Sequence, residues 1–492
     1  MSSRTNNGHV LQSSVWVLAG TAVQNMLQIL VLILLARLLA PKDFGLINIS
    51  LIIIGFTSNF ASMGVGTSII QRKEIEPDHI KSGFVISFIL GIVLFMLFWL
   101  LAPQISILFD SVELVQVLSF LSISFPVLGF STIPEAMLQR NMQFNKIVRS
   151  QLVSYVIGYC LVGITMALYG FGIWSLVVAH LLQTVIKSTM LCMAYRDFLK
   201  GRFSLESTKE LMRFGSGATL DSLCNYAALQ GDNIAAGIML GPAAAGLYGR
   251  AYQVAAIPAT LLGQVLDKVL FSAWAKIQNE HEKLTKSFLD GVSLVTIFVL
   301  PISLYCVIFA PEIINFTLGS QWKEVVIPFQ ILSMGTLFRT SYKLSNSVTM
   351  AKGAVYNRAL RQFLYAFLVI AGASIGGRFG VAGIAVGVFI AITVHYLFTA
   401  QLALRLTNVS WNQYMRSQIA GIRFAIIMFL FWYLLALWLR KIALGDLYLL
   451  LVSVAASCLM VMFILVLKPT IMGQFGVRLN KKLTNLRSKF TR

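Results

Sequence analysis

Polar residues inside one apolar stretch carry the plainest chemistry in this chain. Thr336, Arg339, Lys343, Asn346 and Ser347 recur at i, i+3, i+7, i+10 and i+11, the spacing that puts them on one side of an α-helix. The stretch, about 325–350, is long enough to cross a membrane. A cation near the middle of such a helix costs roughly 2.5–3.5 kcal/mol on insertion scales, and Arg339 lies too deep to reach an interface. The stripe therefore calls for a watery cavity or an anionic partner. Arg and Lys one turn apart suit a phosphate or diphosphate, and the amide and hydroxyls beside them suit a sugar.

Other intramembrane polar residues point to the same cavity. Lys187 shares a helical face with His180 and Thr184, and Arg250 sits early in its own apolar segment. Each could instead extend its charged end to an interface. Asn25, Gln28, Asn48 and Asn59 add uncharged faces. Acids are rarer. Asp221, Asn225 and Asp232 fall on one face of a later segment. Asp221 and Asp232 are candidates for binding a coupling proton or sodium ion, with an ion pair to Arg250 across the short turn the preferred reading of Asp232. Asp267 and Lys268 can pair with each other. His180 and His395 are isolated and read as packing or hydrogen-bonding residues.

The chain holds no enzyme signature. It has no phosphate-binding glycine loop, no defensible Ser/His/Asp order and no metal-spaced cluster. Its five cysteines fall inside apolar segments without metal spacing and read as packing residues. No catalysis, cofactor or metal is expected.

The elements that must place these residues follow from composition. Of 492 residues, 57% are hydrophobic and only 12% charged, about half the charged share of a soluble domain. The apolar runs are continuous, so they are helices rather than barrel strands. The reading is an all-α polytopic membrane protein with about fourteen spans, near 15–39, 44–70, 82–102, 112–138, 147–168, 171–194, 211–240, 243–270, 287–310, 325–350, 360–377, 381–403, 417–439 and 446–467. Basic residues crowd alternate loops, among them Arg72, Lys73 and Lys81; Arg140, Lys146 and Arg149; and Lys352, Arg358 and Arg361. The opposite loops hold only Arg37, Lys42, Lys323, Arg378, Arg440 and Lys441. By the positive-inside rule both termini are cytoplasmic. The net charge of +20 then reflects topology and anionic lipid rather than nucleic acid. The short polar start leads into a span too long for a removed signal.

The chain also repeats itself. Leu39, Pro41, Gly45 and Leu46 return 201 residues later as Leu240, Pro242, Gly246 and Leu247. Phe144-Asn145-Lys146 with Arg149 returns as Tyr356-Asn357-Arg358 with Arg361, and Phe171-Gly172-Ile173 as Phe379-Gly380-Val381. Two parallel six-helix lobes related by a pseudo-two-fold axis follow, with a cavity between them. The domains are drawn at 1–200, 201–404, two extra spans at 405–468, and a basic tail at 469–492. Pro41, Gly45, Pro242 and Gly246 mark matched outer turns, one per lobe, expected to meet when the cavity faces inward.

The chain resembles the polysaccharide-transport, Wzx-type flippase branch of the MOP exporter superfamily, with its nearest likeness in the colanic-acid-type exporters. The likeness rests on Leu35 to Leu46, Ser68 to Glu74, Arg213-Phe214-Gly215, Gly246-Leu247-Tyr248 with Ala251-Tyr252, and Phe271 to Gln278. The first turn departs from the usual Leu-Gly by reading Leu39-Ala40. The resemblance implies a two-lobed alternating-access fold with a cationic lumen in the bacterial inner membrane. It also implies flipping of undecaprenyl-diphosphate-linked oligosaccharide for exopolysaccharide, capsule or O-antigen, beside a polymerase and chain-length machinery. The competing readings are a multidrug cation antiporter of the same superfamily, which wants an acid in the first lobe, an embedded glycan enzyme, which the short loops disfavour, and an assembly scaffold.

Overall fold

Three glycines interrupt the helices: Gly64, Gly241 and Gly335. The computed structural model describes residues 2–481 except 63, 73, 278, 279, 353, 443, 444, 474 and 478; in 2–19, 59–62, 213–222, 224, 225, 228, 261–273, 275, 276, 355, 356 and 359 it describes the backbone alone. Every regular element among the described residues is helical. Ten helices there are long and apolar enough to span a membrane: Gly20–Leu38, Pro77–Leu108, Glu113–Arg140, Phe144–Leu168, Ile173–Ala194, His281–Ile308, Leu360–Gly377, Gly380–Thr407, Trp411–Lys441 and Asp446–Leu467. They match ten of the expected spans.

The remaining expected spans are helical but broken. Gly64, at φ 62°, separates Pro41–Ser62 from Val65–Gln71. Gly241, at φ 81° and ψ 178°, breaks Leu205–Lys276 where two spans were expected. Gly335 divides Val326–Met334 from Thr336–Ala351. Irregular backbone at membrane depth is tolerated only where protein covers it or where it lines a water-filled cavity.

By packing, the chain forms two compact units, Met1–Gly246 and Leu247–Arg492. The repeat boundary near 200 follows sequence similarity, whereas this one follows contacts. Residues 201–246 belong to the first unit because they are tied to the Pro41–Gln71 segment along its length.

The ties begin at the repeated turns. A Cβ on Gly45 would overlap the Pro242 carbonyl oxygen, and one on Gly246 would overlap the Pro41 carbonyl oxygen. The two copies thus pack backbone to backbone in a reciprocal contact that only glycine permits. Further along, a Cβ on Gly237 would come within 3.0 Å of Ile49, and Asn48 Nδ2 donates to Asn233 Oδ1 at 3.3 Å. At the basic end, Ser68 Oγ donates to the Leu211 carbonyl at 2.9 Å. Arg72 donates to Glu210 at 2.6 Å, and His79 Nε2 lies 3.1 Å from the same oxygen. Hydrogen bonds from His79 and Arg72 hold the Glu210 carboxyl below the usual carboxylate range. Arg140 caps the orphan carbonyls after Val65–Gln71, donating to Ile69 at 2.7 Å and to Arg72.

In the second unit, Val355–Gly377 and Gly380–Thr407 form a hairpin through Gly380, at φ 79°. A Cβ on Gly376 would overlap the Gly383 carbonyl oxygen, and one on Gly387 the Gly372 carbonyl oxygen. Small residues at four-residue spacing let these backbones touch. Beside them, Trp274, Phe288, Val292, Leu344 and Val348 pack with Tyr396 and Tyr414. A second cluster packs the two C-terminal spans through Phe424, Trp432, Ile464 and Leu465.

Candidate functional site

Arg339 emerges one turn after the break at Gly335, its backbone N–H donating to the Gly335 carbonyl at 2.9 Å. The side chain is buried, only 8% exposed. Its guanidinium carbon lies 4.4 Å from the centre of the Tyr252 ring. Tyr365, Tyr342 and Tyr248 complete the surrounding phenols. Among the described residues no carboxylate pairs with it, and its Nη2 is buried without a hydrogen-bond partner.

The hairpin glycines position this box. By bringing two helices together they set Tyr365 against His395, rings stacked at 4.3 Å and 25°. Tyr342 meets the same imidazole edge-on at 4.8 Å. His395 is 2% exposed, and its Nε2 has no hydrogen-bond partner among the described residues. It is a packed spacer, in keeping with the reading of an isolated histidine.

The electrostatic consequence is specific. A carboxylate would neutralise Arg339. Aromatic faces attract a cation by about 0.5–2 kcal/mol but leave its charge in place. The box therefore stores a net positive charge away from water, where an anion gains most from meeting it.

The rest of the stripe follows Arg339 down the helix. Thr336 and Ser347 are buried, and Lys343 and Asn346 are half-buried. Thr340, Ser345 and Thr349 are buried too, so the helix is polar beyond one stripe. Arg250 is half-buried and donates to Gln253. Asn25 is half-buried and Gln28 exposed. Asp232 is 2% exposed and accepts from the Asn233 backbone N–H at 2.9 Å. The side chains of Asp221, Asn225, Asp267 and Lys268 lie outside the described residues.

Lys187 has a partner that sequence reasoning missed. Its Nζ donates to both oxygens of Glu135, at 3.1 and 3.0 Å. Both side chains are about a quarter exposed. Ser188 and Ser131 hydrogen-bond beside them at 2.9 Å, which fixes the two helices in register. The tyrosines around Arg339 were missed as well. The i, i+4 pair of Tyr248 and Tyr252 was the available signal, and it read as a family motif rather than a cation box. No group of three or more metal-ligating side chains occurs among the described residues.

Fold and site together define a multi-pass helical membrane protein of the transporter type. Its structure is similar to the lipid II flippase MurJ in an inward closed conformation, with a TM-score of 0.70, 14% identity and coverage of 92% of this chain and 100% of that one. It is also similar to an inward-facing MATE-family multidrug resistance transporter of the MOP superfamily, with a TM-score of 0.61, 19% identity and coverage of 79% and 96%. At such identities the likeness concerns the fold. Sequence supplies the particular family. Residues 34–327 match the polysaccharide biosynthesis protein family, and the chain belongs to it. The lipopolysaccharide biosynthesis protein WzxC of Escherichia coli (strain K12) is 27% identical over 412 residues, 82% of each chain. The succinoglycan biosynthesis transport protein ExoT of Rhizobium meliloti (strain 1021) is 23% identical over 324 residues, 65% of each.

Proposed function

We propose that this protein is a flippase that moves undecaprenyl-diphosphate-linked oligosaccharide across the bacterial inner membrane for exopolysaccharide, capsule or O-antigen synthesis. One observation carries the reading: Arg339 is buried among tyrosines one turn into the Thr336–Ala351 helix, has an orphaned N–H nitrogen, and has no carboxylate partner among the described residues. Such a cation is matched to an anionic substrate group. A diphosphate supplies that charge, and phenols, amides and hydroxyls suit the sugars beside it. With both termini in the cytoplasm, the substrate moves outward. An inside-negative potential then favours it by about 2.3 kcal/mol per charge per 100 mV, so a coupling proton or sodium ion can add to the driving force without being required. The protein does no covalent chemistry, and a polymerase and chain-length machinery would take its cargo.

The cation-antiporter reading needs an unneutralised intramembrane acid in the first lobe, drawn at residues 1–200. Glu135 is an acid there, but Lys187 already neutralises it, which favours the anionic cargo. The test is Arg339→Ala, assayed for export of the cell's polysaccharide with membrane abundance measured in parallel. Export falls at least a hundredfold while the protein stays inserted. Normal export by an abundant variant refutes the cationic-site reading, and proton-driven cation efflux by the wild type would establish the antiporter instead.

A further inference from the structure

The basic end of the glycine-packed hairpin holds cations that neither the core nor the Arg339 box explains. Arg361 is pinned in place: its Nε donates to the Phe398 carbonyl at 3.0 Å and its Nη1 to the Asn357 carbonyl at 2.9 Å. Those bonds use two of the five guanidinium N–H donors and neutralise nothing. The charge that bears on Arg361 is another cation, Arg405, seven residues beyond Phe398 on the Gly380–Thr407 helix and so on the same face of it. One turn earlier, Arg358 has a buried Nε with no hydrogen-bond partner among the described residues. None of the three makes an ion pair among the described residues.

A solvated loop arginine would extend into water and keep away from like charge. Here one arginine is tied to two carbonyls beside a second, with an orphaned donor alongside. Adjacent guanidiniums repel unless an anion lies between them, and phosphate oxygens fit their forked donors. The surroundings say which kind of anion. Leu360, Phe363 and Phe367, on the flank of the same helix, are all exposed. A ligand here meets apolar surface below its headgroup, as a membrane lipid does. Arg361 also precedes Tyr365 by four residues, about 6 Å along the helix, and Tyr365 belongs to the Arg339 box. The first repeat keeps the same basic pair as Lys146 and Arg149.

We infer that Arg358, Arg361 and Arg405 form a binding site for the phosphate or diphosphate headgroup of a membrane lipid, placed one helical turn before the Arg339 box. In its fullest form this rests on the flippase reading: the site loads the lipid-linked diphosphate and Arg339 receives it. The same chemistry also fits an anionic phospholipid, and the two are separable by experiment.

The experiment uses the full chain in phosphatidylcholine nanodiscs, titrated separately with undecaprenyl diphosphate and with phosphatidylglycerol, and bound lipid read by native mass spectrometry. R405Q removes an exposed charge and leaves packing intact. R361Q/R405Q removes the pair, and R378Q at the other end of the hairpin is the control. Each guanidinium removed weakens binding about five-fold, and the pair about twenty-five-fold, from roughly 1 kcal/mol per cation near a membrane surface. A loss for undecaprenyl diphosphate supports the loading site. A loss for phosphatidylglycerol alone supports the headgroup site with a phospholipid as occupant. Equal binding of both lipids by R405Q, R361Q/R405Q and wild type overturns the inference. Intact arginine-dependent binding by a protein that moves no glycan would refute the flippase reading and leave this site standing.

Discussion

Gly45→Ala tests whether contact between the repeated turns is a working part of the protein. The added methyl would overlap the Pro242 carbonyl oxygen, a backbone atom that cannot rotate aside. Gly45 lies in the Pro41–Ser62 helix and is not among the glycines at positive φ, so alanine suits its own backbone. Its gain in helix propensity, about 1 kcal/mol, applies whether the turns touch or part, and it cancels from the comparison. What remains is overpacking in the touching arrangement alone, about 1–3 kcal/mol. That shifts the equilibrium between touching and parted turns by roughly 5- to 150-fold. Spin labels at the exposed Lys42 and Ala243 report the change as a loss of the short-distance population, read by pulsed electron resonance in nanodiscs. Gly246→Ala, which meets the Pro41 carbonyl oxygen, gives the same shift. A short-distance population unchanged in both variants, with full export, refutes the argument. A cysteine at Gly241 makes a poorer probe, because φ there is 81° and a side chain strains the turn.

Three further experiments separate binding from packing. Tyr252→Phe keeps the ring over Arg339 and leaves export near wild type, whereas Tyr252→Leu, losing a contact of about 1–2 kcal/mol, lowers export roughly tenfold; equal export by the two variants removes the ring from the argument. Lys187→Met and Glu135→Gln each lower the melting temperature in detergent by leaving one charge uncompensated, and the double variant recovers most of the loss; additive losses would show that the pair is not coupled. Glu210→Gln loosens the clasp to Arg72 and His79. Because the Glu210 carboxyl is held below its usual range, its contribution is present above that range and fades as pH falls through the lowered value. Wild type and variant therefore differ at neutral pH and converge in acid, as thermal unfolding across pH would show; a constant difference would place the effect elsewhere.

The sequence by itself determined the class of protein, the segments that could span and the repeat, because these depend on local composition and spacing. A 20-residue apolar run must be helical in lipid whatever surrounds it. It also marked Arg339, since a mid-span cation needs a reason wherever the fold puts it. Only the tertiary structure decided what each charge meets. Lys187 reads as a binding residue until Glu135, 52 positions earlier, is found 3.0 Å away. Arg339 reads as one member of a stripe until tyrosines from its own helix and two others surround it and leave its charge unneutralised. The turns at Pro41 and Pro242 are visible as a repeat, yet their mutual contact depends on two glycines meeting the opposite carbonyls. The physical reason is common to all three. Backbone pairing in a membrane is settled within a segment, whereas the partner of a buried charge or a close backbone contact is settled by segments far apart in the chain.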